Sequence, residues 1–166
     1  MNHKPYLPSI MCAAALALAS AGADAQSGST VKLHCFSVGN GAPPEALGDR
    51  EGHAVSVGQV SCRVEGGLTD GGIFTGSTIA EWDKGSAVVL SASGITRKPG
   101  AVVASQTTEG KQALVMTEGK VTGMTGSGRG RYTLATGSAA SLAGKTFSYT
   151  FSTTGPGQFL VEVKND

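Results

Sequence analysis

The chain reads as an all-β protein, a single antiparallel, mostly up-and-down β-barrel of about eight strands. Three observations lead to this fold class. Beyond residue 25 no segment shows a helical repeat. Val, Ile, Phe and Tyr instead recur at alternate positions within short runs, the period of a strand with two unlike faces. Turn chemistry separates the runs at close intervals: "GG", "DKG", "KPG", "EGK" twice, and "GPG". Tight hairpins between successive runs favour an up-and-down order, and closing the sheet removes its exposed edges. A barrel of about eight strands holds side chains or one small ligand inside.

Residues 1–25 stand apart. Lys4 precedes the apolar run "IMCAAALALASAGA", and "ADA" at 23–25 has the small-x-small form of a cleavage site. That is the pattern of a secretory signal peptide cleaved near Ala25. The run is too short to span a bilayer. Cys12 precedes most of it, whereas a lipidated cysteine follows its apolar run. The expectation is a periplasmic or secreted protein whose barrel domain occupies 26–166.

The strand candidates follow in order: 31–38, 53–65, 73–83, 86–97, 101–109, 111–118, 120–136, 145–154 and 158–164. Between the first two lies "GNGAPPEALGDREG" (39–52), a long loop with two prolines and no alternation. "TGSAASLAG" (136–144) is a second irregular link with room for one helical turn. Glycines 58, 76, 94, 123, 126, 128 and 130 fall inside strands, where a small barrel bends sharply. Phe147, Tyr149 and Phe151 share one strand face, as do Phe159, Val161 and Val163, and both rows are expected to face apolar surroundings.

Composition narrows the function. A net charge of +1 argues against nucleic acid, which is bound through many basic contacts. No later run spans a membrane, and no nucleotide fingerprint, G-x-S-x-G, H-E-x-x-H or C-x-x-C occurs. With His34 and His53 alone left after cleavage, no metal site and no cofactor are expected. The two cysteines of the mature chain, Cys35 and Cys62, are expected to form a disulfide in an oxidising compartment. His34 neighbours Cys35 but points to the opposite strand face, which disfavours a nucleophilic cysteine.

Ionisable groups gather in one place. Asp49, Arg50, Glu51 and His53 sit where the long loop meets the next strand, with Arg63 and Glu65 further along it. Such a set at a barrel mouth can bind an anion and move a proton, which makes His53, Glu51, Asp49 and Arg63 the catalytic candidates. The alternative, favoured by the loop's length, is an ion-pair network that pins the loop. Glu81 and Asp83, on one face with Trp82 on the other, permit a glycosidase pair, but "WDKGS" reads as a solvated strand end. "GSGRGRY" (126–132) lacks the lysine and helix of a phosphate loop and reads as a bend.

"VTGMTGSGRGRYTLATGS" followed by "TFSYTFSTTG" resembles the Gly-rich strand pair and aromatic last strand of the barrel shared by allene oxide cyclases and dirigent proteins. The resemblance covers roughly 40 residues of the C-terminal half. It implies an eight-stranded barrel with an apolar cavity, often in a homo-oligomer, that either isomerises an unsaturated substrate or merely orients one. No catalytic position of the family maps onto these residues.

The leading expectation is a binding module for a small lipophilic molecule, with Phe147, Tyr149, Phe151, Tyr132 and Trp82 as ligand contacts. The alternatives are an isomerase or cyclase of the allene-oxide-cyclase type and a structural or interaction barrel. A binder keeps its interior apolar and its charges on the rim. An enzyme turns His53 inward. An interaction protein fills its core and exposes an apolar patch.

Overall fold

The computed structural model describes residues 30–39 and 44–166. The signal-peptide reading of 1–25 and its cleavage site lie outside the described residues. Nine strands run in chain order: β1 (Thr30–Ser37), β2 (Glu45–Ala46), β3 (His53–Glu65), β4 (Ile73–Asp83), β5 (Ser86–Lys98), β6 (Ala101–Thr117), β7 (Lys120–Ala135), β8 (Thr146–Gly155) and β9 (Gln158–Asn165). Each long strand pairs antiparallel with the next in sequence from β3 to β9. β1 pairs with both β9 and β3 and so closes the sheet into the expected barrel, with β2 as one extra strand on β3.

The seam is short. β1 meets β3 only through Lys32–Ser37 and Val60–Glu65. Cys35 lies directly opposite Cys62 in that register, and the two form the predicted disulfide. The first half of β3 instead pairs with β2 at Ala54 and Val55.

Two sequence expectations need correction. The loop 39–52 is not free of strand, since Glu45–Ala46 pairs with β3. Residues 101–118 are not two strands split at "EGK" but one strand, β6, of 17 residues. Gly110 stays extended there and pairs with Gly128, with a register shift between Thr107 and Glu109. The identical tripeptide at 118–120 does turn: Glu118 and Gly119 both adopt positive φ (50° and 76°), the conformation that a two-residue hairpin requires.

The glycines of β7 serve close approach. Gly126, Gly128 and Gly130 pair with Phe151, Tyr149 and Phe147 of β8. Each ring lies over its glycine, so that a Cβ on any of the three would collide with the aromatic opposite and with a β6 backbone oxygen. Phe74 covers Gly76 and Gly94 in the same way. The strands can therefore coil tightly while large rings occupy the inner face.

One end of the barrel is covered. The 3-10 turn Gly137–Leu142 packs Ala139 and Leu142 on Ala101 and Val103, and all four are buried. Beside it Val31, Val64, Phe147 and Val163 form the main core. A smaller core of Ala80, Trp82 and Ala87 lies on β4 and β5.

Candidate functional site

Strand alternation delivers every second residue to the barrel interior. The interior is not filled. A cavity of about 820 Å³ runs between the main core and Trp82. The inward residues Phe74, Tyr149, Phe151, Phe159 and Val161 stay only half-buried because they border this space. A barrel packed solid would bury them, as it buries Phe147. Val38 lines the cavity and is 52% exposed, and Gly39 and Pro44 border it as well, which places the mouth beside these three residues.

The lining is aromatic and uncharged. Seven of the nine aromatic residues in the sequence face the cavity. All five residues predicted as ligand contacts, Phe147, Tyr149, Phe151, Tyr132 and Trp82, are among them. Phe74 and Phe159 complete the set. Phe74 was missed as a site residue because alternation in 73–83 shows which residues share its face but not that the face encloses a void. Neutral polar groups are interspersed: Ser56, Thr78, Ser105, Thr107 and Gln112. Trp82 Nε1 donates to Ser56 Oγ at 2.8 Å, and Tyr132 Oη donates to Asn165 Oδ1 at 2.7 Å.

Among the described residues, no Asp, Glu, His, Lys or Arg lines the cavity. Its titratable side chains are two tyrosines, since both lining cysteines are bonded to each other. Burial pushes the Tyr132 hydroxyl up to about 12. Burial also raises that of Tyr149, against a smaller opposing effect from Thr107. Both stay protonated near neutral pH and act as hydrogen-bond donors. A groove of about 890 Å³ on the outer wall, past Glu81, Lys111 and Glu162, is more open and has Phe151 as its one aromatic.

The ionisable cluster sits elsewhere. β3 turns its even-numbered residues inward, so His53 and Arg63 face out. His53 is 8% exposed because the 44–52 segment folds over it. Its Nδ1 donates to Asp49 Oδ1 at 2.5 Å, and its Nε2 donates to Glu81 Oε1 at 2.8 Å. Two carboxylate acceptors at once require the imidazolium. No ring nitrogen is then left to accept a proton from a substrate. Arg50 joins Asp49 at 3.0 Å and reaches Asp83 at 3.5 Å. Backbone bonds from Leu47 to His53 and from Lys84 to Gly52 complete the attachment. Glu81 and Asp83 thus both face out and hold the loop. Glu51 is exposed.

Arg63 does not join this group. It stands ten positions along the strand, about 30 Å away. There it lies opposite His34 and beside Glu65, whose Oε2 is 4.0 Å from Arg63 Nη2 and 2.9 Å from His34 Nε2. Sequence proximity suggested one cluster of candidates, and a fully extended strand separates them into two.

The loop anchor is sensitive to pH. The Asp49 carboxylate, and then Glu81, raise His53 above its ordinary 6.5, while Asp49 is lowered below 3.8 chiefly by the same contact. A raised histidine stabilises the fold fully below its unfolded value, and that contribution is lost as pH climbs through the folded value. The lowered Asp49 contributes above its unfolded value, and its share is lost as pH falls through the folded one. Thermal stability is therefore expected to decline above about pH 6.5. His53→Gln should flatten that decline. NMR titration of the His53 ring and melting curves from pH 5 to 9 check both, and a ring that titrates below 6.5 would refute the pairing.

No helix of the described residues is long and apolar enough to cross a membrane. Comparison of the chain with protein-family models, curated proteins and solved structures finds no match in any of the three.

Proposed function

We propose that this protein binds a small lipophilic molecule inside its barrel, in the periplasm or outside the cell. The observation that carries the reading is the unfilled interior. A volume of about 820 Å³ lies within the range of small-molecule sites. Leaving half-buried aromatics around such a void forfeits packing that a filled core would gain, which makes sense where a ligand completes the core. The disulfide fits an oxidising compartment.

The cyclase or isomerase alternative calls for a group in the void that can carry a proton. The described lining supplies two tyrosines held protonated. That favours binding or orienting a molecule over acid–base chemistry on it.

Native mass spectrometry of the chain purified from an exporting bacterial host tests the reading, followed by organic extraction and small-molecule identification. Retention of a lipophilic compound is the expected result. Val161, half-buried between Leu33 and Phe151, is the position at which to fill the void. Val161→Trp should lower retention or probe affinity by roughly tenfold or more. Tm should move by only a few degrees, about 1 kcal/mol, because the added ring enters empty space. Unchanged affinity in a folded Val161→Trp would remove the cavity as the binding site.

A further inference from the structure

We propose that the barrel cavity selects uncharged lipophiles and rejects organic anions of the same size and shape. The inference rests on the binding reading above and adds the chemical class of the ligand.

Binding sites for carboxylates, sulfonates and phosphates supply a cation or a cluster of backbone N–H donors. Here the described lining has no Lys, Arg or His. Along β3–β4, β6–β7 and β7–β8 the backbone groups are committed to the barrel ladders. What the wall offers is neutral: hydroxyls of Ser56, Ser105, Thr107 and Tyr149, and the Gln112 amide. Such groups satisfy an alcohol, a ketone, an ether or an amide. An anion would surrender its hydration for uncharged donors alone, a large unfavourable exchange in an aromatic pocket.

Pro44 borders the cavity, whereas Glu45, Asp49, Arg50 and Glu51 beyond it do not, and Asp49 is paired with both Arg50 and His53. An arriving anion meets no cation among the described lining residues.

The test uses two dyes that differ by one sulfonate, N-phenyl-1-naphthylamine and 8-anilinonaphthalene-1-sulfonate. Each is titrated into the folded, disulfide-bonded chain. Dye emission reports binding, and quenching of Trp82, the single tryptophan and a cavity residue, reports its location. The neutral amine should bind and quench Trp82, with the sulfonate weaker by roughly 30-fold or more. Gln112→Lys, which places one cation on the wall, should narrow the gap by about tenfold. Two dyes of equal affinity that both quench Trp82 would overturn the selectivity and leave the binding reading standing. A folded chain that binds neither dye would overturn both. A Gln112→Lys chain that folds and keeps the full gap would overturn the electrostatic cause.

Discussion

Gly130→Ala is expected to destabilise the barrel by about 2–3 kcal/mol, lowering Tm by roughly 5–10 °C. The added methyl would stand 2.7 Å from the Gln106 carbonyl oxygen and 2.8 Å from Phe147 Cε2, with Phe147 Cζ closer still. Neither neighbour can yield. The carbonyl belongs to the β6–β7 ladder, and Phe147 is buried in the main core with Val31, Val64 and Val163. Gly58→Ala is the control. It too lies inside a strand, but a Cβ there meets no heavy atom within 4 Å. It should be neutral, or stabilising by about 0.4–1 kcal/mol through loss of freedom in the unfolded chain. Thermal melts of the two variants decide the point. Equal effects would mean that the rings of β8 do not rest on the glycines of β7.

Removing the disulfide is expected to cost about 3–4 kcal/mol, a Tm loss of roughly 8–15 °C. Cys35 and Cys62 are 27 residues apart, and the loop between them includes the whole long connection into β3. The bond also sits on the closure seam, where β1 and β3 share only six paired positions. Losing it leaves that seam to its backbone hydrogen bonds, the His34–Glu65 contact and the Val31–Val64 packing. Cys35→Ala/Cys62→Ala avoids stray thiols, and amide exchange in β1 should accelerate more than in β6. Mass spectrometry of the parent chain should find it two hydrogens lighter than the reduced form. A double variant that melts with the parent would show that the seam is held by other contacts.

Much of the fold was legible in local pattern. The limits of β3 and β4 follow from alternation and from the turn residues that bound them. The two "EGK" tripeptides show where that signal ends. Gly119 turns, whereas Gly110 stays extended because it pairs with Gly128 beneath Tyr149. Nothing in the tripeptide distinguishes them, since the partner that decides between them lies on other strands.

The site was legible in part. Phe147, Tyr149 and Phe151 were placed on one face by spacing alone, and Cys35 and Cys62 were paired by count and compartment. His53 shows the complementary limit. Its sequence neighbours suggested Asp49 and Arg63 as companions. Its second carboxylate is Glu81, 28 residues on, brought there by the β3–β4 register.

By itself the sequence determined the class of fold, the limits of strands such as β3 and β4, the cysteine bond and which side chains share a face. These depend on periods of two and on turn chemistry, interactions that reach only a few residues. The tertiary structure alone decided which face encloses the cavity, that no charged side chain among the described residues lines it, and that the ionisable cluster splits in two. One step of register exchanges inside for outside along a whole strand. Register in this barrel is set by partners up to a full chain apart, from β1 against β9 to β1 against β3.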